Sequence, residues 1–392
     1  MKHRTTPAHR TSRISARRRP AARTALAAAA LGALLAGCAG SGDPVSFDAP
    51  HAVATDARSA SATGTGSAQS EAERLTRLPT GPKARFTQES TLDDGTAIAV
   101  TTLAGRKSGF TGKVWVWAPK QYFEPRYARS GFPVLIALPG GRGYPKNYWI
   151  GAGLKLQSSI ARWSQEGGSL PFLVVMPVLN ADGKHFYDGS DIPGQPRMGT
   201  WLAQDVPDFV RANFRTFKSR DGWAFMGSSS GGFVGLKTVL KYPDQFKAVI
   251  ASGPDLVPDS PLWKGYEEER AADNPANLAA ALIARGGPDV YLAFQIGTTE
   301  TGMGNLRKFI GNFGRGPVKT RLQVIPGGTH NAKSYIRGMG EGSMHWISEQ
   351  MQPPIAEPGT EPSGPSWVAT VPAATPAATP PATGPTGPAA RP

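Results

Sequence analysis

The chain has 392 residues, room for one large domain or two ordinary ones. Its 43 lysines and arginines outnumber 29 acids, a net charge of +14, yet eight of the basic residues crowd into positions 1–23. The 35 that remain against 29 acids make a mildly basic surface, so nucleic acid is not the expected partner.

In chain order, the basic head comes first and precedes an apolar run of about a dozen residues, Ala25–Ala36. That is the length of a signal-peptide core and too short to span a bilayer, which takes roughly 20 residues. It ends in "LLAGC", where Leu35-Ala36-Gly37-Cys38 resembles a lipobox. Residues 1–37 are therefore expected to be a lipoprotein signal peptide, with Cys38 the lipidated first residue of an exported protein held on the extracytoplasmic side of the cell membrane. Arg17-Arg18-Arg19 also fits twin-arginine export, although Pro20-Ala21-Ala22 lacks the apolar residues that route favours. Cys38 is the only cysteine, so no intrachain disulfide forms.

Residues 38–82 are rich in Ala, Ser, Thr and Gly and read as a disordered tether. Residues 353–392, ending "PAATPPATGPTGPAARP", read as an extended tail. Residues 83–352 hold nearly all the aromatics and are expected to form the folded domain. Within it, "TAIAVTTL" and "GKVWVWAP" alternate like half-exposed strands of an antiparallel edge. "FPVLIALPGG" and "LPFLVVMP" are continuous apolar runs, as in buried parallel strands. "TWLAQDVPDFVRANF" has helical spacing, with Pro207 marking a new turn. Strands "GWAFMG", "FKAVIASG", "DVYLAFQIG" and "RLQVIPGG" then alternate with helices, the last ending "HWISEQM". The fold class is α/β, a mostly parallel sheet with helices on both faces.

"WAFMGSSSGGFVGL" places three serines between a strand and a helix. A nucleophile elbow needs small residues two before and two after the reactive serine, because strand and helix approach there. Only Ser229 has glycine at both positions, Gly227 and Gly231. The plainer alternative is a Gly/Ser turn or an anion-holding helix start. A P-loop does not fit, since Leu236 separates Gly235 from Lys237.

A serine hydroxyl needs a base to take its proton. Of six histidines, three precede the domain and three lie within it: His185, His330 and His345. His330, in "PGGTHNAKS" after the last strand, stands where the Ser…acid…His order puts the base. His185 reads as a loop residue and His345 as a helix-surface one. The orienting carboxylate should follow the penultimate strand, which selects Glu300, with Asp255 after the preceding strand as the alternative. Oxyanion donors are expected at the backbone N–H of Ser230, next to the nucleophile, and of Gly141 in "LPGGRG". Trp201 and Trp263 are candidate pocket walls, or else core and loop anchors.

These segments together are similar to the esterase D/mycolyltransferase branch of the α/β-hydrolases. "FPVLIALPGGRG", "TWLAQDVPDFVRANFR", the GxSxGG elbow, "FQIGTTE" and "GGTHNAKS…MHWISEQM" carry the resemblance over about 110–352. Pro139 stands where the family commonly has histidine, Thr329 separates Gly328 from His330, and the acid is Glu. The resemblance implies an α/β-hydrolase fold and a Ser–His–Glu serine hydrolase acting on small-molecule, lipid or sugar esters, with no metal or organic cofactor. The same acyl-enzyme serves an acyltransferase that passes the acyl group to a sugar or lipid. A cell-surface binding protein with a vestigial triad is the reading from another class.

Overall fold

A computed structural model describes residues 42–48, 70–340 and 342–357. Twelve strands occur among them: β1 (Pro44–Val45), β2 (Thr76–Arg77), β3 (Phe86–Thr91), β4 (Ala97–Ala104), β5 (Thr111–Trp117), β6 (Val134–Leu138), β7 (Leu173–Pro177), β8 (Thr216–Phe217), β9 (Trp223–Ser228), β10 (Ala248–Ser252), β11 (Val290–Gly297) and β12 (Val318–Ile325). Ten form one sheet in the order β1-β3-β4-β5-β7-β6-β9-β10-β11-β12, and β2 pairs with β8. From β7 to β12 every neighbour is parallel. The four strands on the other side are antiparallel, as the alternating segments predict.

The central strands β6, β7, β9 and β10 are buried at every residue. Such double-sided burial requires helices on both faces. In β10 and β11, Ala248 pairs with Tyr291 and Val249 with Leu292, so each pair points to one face and successive pairs to opposite faces. Gly235 of the helix Ser230–Lys241 packs on Val249. Trp346 of the helix Ser343–Gln350 packs on Tyr291. The two helices therefore cover opposite faces. At the free edge, β12 turns Lys319 and Arg321 outward, which blunts it against further pairing.

The helix expected around Pro207 is present, with a π turn at Trp201–Asp205 leading into Val206–Asn213. Proline has no N–H to give the preceding turn, so the α-type ladder is interrupted there.

The folded body is longer than 83–352. In the expected tether, β1 pairs with β3 and Phe47 packs between Phe86 and Phe214 at 5.1 Å from each ring. A short helix, Glu71–Leu75, leads into β2, and the Gly81 N–H donates to the Ala212 carbonyl. In the expected tail, the Ile355 N–H donates to Ser130 Oγ and the Glu357 N–H to the Arg126 carbonyl. These segments are held by hydrogen bonds, by ion pairs such as Arg129 with Glu73 and Glu357, and by one aromatic, not by an apolar run, so composition does not reveal them. Cys38 lies outside the described residues. Among the described residues no helix is long and apolar enough to cross a membrane.

Candidate active site

The elbow forms as its glycines predict. Ser229 has φ 52° and ψ −126° between β9 and the helix Ser230–Lys241. A residue with a Cβ pays strain for this conformation, so the turn is imposed by its surroundings. A Cβ on Gly227 would lie 2.4 Å from the backbone carbon of Gly231, and one on Gly231 would lie 2.4 Å from the Pro139 carbonyl oxygen. Strand, helix and the loop after β6 thus meet at distances that only glycine allows. The Ser229 N–H donates to the Ser252 carbonyl at 2.9 Å, which ties the elbow to the end of β10.

The candidate base and acid come from adjacent strand ends. Glu300 sits in the loop after β11, and His330 stands just before Asn331, whose side chain caps the helix Ala332–Met339. His330 Nδ1 and Glu300 Oε2 are 2.6 Å apart. The Glu300 side chain is 5% exposed and His330 53%, so a buried carboxylate holds the inner edge of a ring whose outer edge is open. The Gly297 N–H donates to Glu300 Oε1 at 2.6 Å. The Thr299 hydroxyl donates to the Gly328 carbonyl and so joins the acid loop to the histidine loop. Gly253 makes the room: a Cβ there would come 2.6 Å from Glu300 Oε2 and 2.8 Å from His330 Nδ1.

Sequence reasoning missed Tyr335. Its hydroxyl donates to Glu300 Oε2 at 2.7 Å and lies 3.0 Å from His330 Nδ1. Burial, reinforced by Glu300, pushes the phenol far above its ordinary value, so it remains a protonated donor. Its only sequence signal is a tyrosine on the first turns of the helix after His330. Tyr148 was missed as well; its hydroxyl accepts the Gly140 N–H at 2.7 Å and contacts Ser228 Oγ.

Ser229, Gly141 and His330 line one open pocket of about 470 Å³, with Gly140, Tyr148, Leu154, Ala332 and Tyr335 around them. No hydrogen bond joins Ser229 to His330 among the described residues. A cavity of similar size, about 480 Å³, lies at the β1 edge and contains none of the candidate residues.

Of the remaining candidates, the Ser230 hydroxyl donates to the Gly141 carbonyl at 2.9 Å. The Ser230 N–H sits in the first turn of its helix, where donors lack an intrahelical acceptor. Asp255 lines a neighbouring cavity with Glu300 and His330 and makes no hydrogen bond to the imidazole. Partial desolvation raises its carboxyl against the pull of His330. Glu300, rather than this alternative, contacts the ring. His185 pairs with Asp182 at 3.3 Å outside the pocket, and His345 pairs with Glu349 along its helix. Trp201 and Trp263 are anchors, not walls. The first is fully buried against Phe110; the second donates to Asp188 Oδ2 at 2.7 Å.

The family model described as "Putative esterase" matches residues 111–335. An uncharacterized protein of Corynebacterium glutamicum is 26% identical over 219 residues, which is 51% of this chain and 49% of that protein. Esterase Rv1288 of Mycobacterium tuberculosis is 32% identical over 123 residues, 31% of this chain and 25% of that one. The chain thus spans half or less of the curated relatives it matches. Among solved structures, a ferulic acid esterase superposes with TM-score 0.53 at 15% identity, covering 65% of this chain and 99% of that one. An S-formylglutathione hydrolase from Agrobacterium tumefaciens gives TM-score 0.52 at 16% identity, covering 68% and 99%. At those identities the likeness establishes the α/β-hydrolase fold.

Proposed function

Because the chain belongs to the esterase family, we propose that it cleaves carboxylic esters through an acyl-enzyme on Ser229. The observation that carries this reading is the 2.6 Å contact of His330 Nδ1 with the buried Glu300, in the pocket that Ser229 also lines. Ser229 Oγ attacks the ester carbonyl while His330 Nε2 takes its proton. Glu300 keeps the Nδ1–H tautomer and stabilises the imidazolium. The carbonyl oxygen becomes an oxyanion facing the N–H groups of Gly141 and Ser230. Collapse expels the alcohol with the proton from His330. Water then repeats the sequence and releases the acid. An alcohol in place of water would turn hydrolysis into acyl transfer to a sugar or lipid, and product partitioning with added acceptor separates the two.

Incubated with a fluorophosphonate, the full chain should become labelled on the peptide bearing Ser229, and Ser229→Ala should not. Mass mapping to another serine, or an unlabelled folded protein, would remove the proposal and favour a surface-binding role.

Export and anchoring through Cys38 form a separate proposal, supported by the signal pattern ending in "LLAGC". Cys38→Ala should move the protein from the membrane fraction to the soluble fraction. Retention in the membrane would end the anchoring reading.

A further inference from the structure

The loop that supplies the expected oxyanion donor is fixed from both sides by hydroxyl groups. On one side, the Gly140 N–H donates to Tyr148 Oη at 2.7 Å, and that hydroxyl also contacts Ser228 Oγ, next to the nucleophile. On the other, the Ser230 hydroxyl donates to the Gly141 carbonyl at 2.9 Å. Between these two points lies one peptide, which carries the Gly141 N–H. Gly141 has φ +64°, and its N–H has no hydrogen-bond partner among the described residues.

Tyr148 is itself a fixed post. Asn147 Nδ2 donates to the carbonyls of Ala137 and Pro177, at the ends of β6 and β7, at 2.8 and 2.9 Å. Trp149, fully buried, donates from Nε1 to the Leu138 carbonyl at 2.8 Å. The short turn Tyr148–Ile150 is thus tied to the ends of β6 and β7, independently of the loop that carries Gly140 and Gly141. A Cβ on Gly140 would lie 3.0 Å from the Ser228 carbonyl oxygen and 3.2 Å from Ser229 Cβ, so the loop rests directly on the elbow.

We propose that Tyr148 is a positioning residue for the oxyanion hole, its hydroxyl locking the Gly140–Gly141 peptide onto the elbow through Ser228. The inference rests on the serine-esterase reading above. Tyr148 also consumes the Gly140 N–H, which leaves Gly141 rather than Gly140 to face the substrate. Donors aimed in advance at the developing charge account for much of catalysis in such sites, and small misplacements are costly.

The test compares the full-length wild type with Tyr148→Phe and, as a second variant, Ser228→Ala. The readouts are the melting temperature, kcat and KM for a p-nitrophenyl ester, the rate of fluorophosphonate labelling, and the affinities for an alkyl trifluoromethyl ketone and for the product carboxylate. Ser229 Oγ adds to that ketone's carbonyl carbon, the C=O π pair becomes the oxyanion, and the serine proton passes to His330. Tyr148→Phe should keep its melting temperature and KM while kcat falls about 10–100-fold. Ketone affinity and labelling rate should fall by the same factor, with the affinity for the product carboxylate unchanged. Ser228→Ala should show a smaller loss in kcat, labelling rate and ketone affinity. Wild-type labelling rate and ketone affinity in Tyr148→Phe would overturn the inference, as would a loss confined to KM or melting temperature. An unlabelled wild type would instead remove the esterase reading itself.

Discussion

Replacing His330 with alanine is expected to lower kcat for an activated ester by about 10⁵–10⁶-fold, with KM moved little. Glu300→Gln is expected to cost about 10⁴-fold. The amide can still meet the imidazole, but it can stabilise the wrong tautomer and cannot balance the imidazolium. The two losses should not multiply, since both act through one proton transfer. Single-turnover kinetics of the two variants and their combination check this. Glu300→Gln at wild-type rate would show that the 2.6 Å contact is structural only. Asp255→Asn is the control. Because Asp255 makes no bond to the imidazole, its loss should be small beside that of Glu300→Gln.

The second large effect lies away from the pocket. Lys237 is 2% exposed and Asp273 5%. Lys237 Nζ donates to the carbonyls of Asp188 and Gly189 at 2.7 and 2.8 Å, to Ser190 Oγ, and to Asp273 at 3.2 Å. Lys241 reaches the other Asp273 oxygen at 2.5 Å. Burial works against the Asp273 charge, but the two lysines hold its carboxyl well below the usual carboxylate range. Asp273→Ala leaves the buried Lys237 cation with two carbonyls and the Ser190 hydroxyl but no carboxylate in contact. It should destabilise the fold by about 3–5 kcal/mol, a fall in melting temperature on the order of 10 °C. Lys237→Met combined with Asp273→Leu should recover most of that loss, because an apolar pair asks for no desolvation. With a depressed folded pKa, the Asp273 contribution is complete above the unfolded carboxylate value of about 3.9 and is lost as the pH falls through the folded value. Between pH 5 and 7 the gap between wild type and Asp273→Ala should therefore stay flat. Thermal melts at both pH values decide it. An unchanged melting temperature in Asp273→Ala would mean the cluster is solvated in solution.

What the residues made legible was whatever periodicity or spacing encodes. Continuous apolar runs such as "VLIAL" and "LVVMP" became the central strands, and glycines at 227 and 231 singled out Ser229. Chain order alone put Glu300 and His330 at neighbouring strand ends, where they meet. The rest depended on contacts that no local pattern carries. Tyr148 and Tyr335 look like core aromatics until the fold turns their hydroxyls toward Gly140 and Glu300. Lys237 and Lys241 lie four residues apart on one helix, and their shared partner lies on a segment more than thirty residues downstream. Pro44–Val45 is too short to register as a strand in any window, and only the edge of β3 reveals it.

That last pairing bears on where the protein can be cut. Composition invites a boundary near residue 80, at the first dense run of large side chains. A chain begun there would discard β1, β2 and Phe47 together. The outer row of amides and carbonyls on β3 would then stand open, beside the uncovered rings of Phe86 and Phe214. An unpaired strand next to exposed aromatics is a template for a second copy. Removal of residues 42–48 is therefore expected to promote self-association.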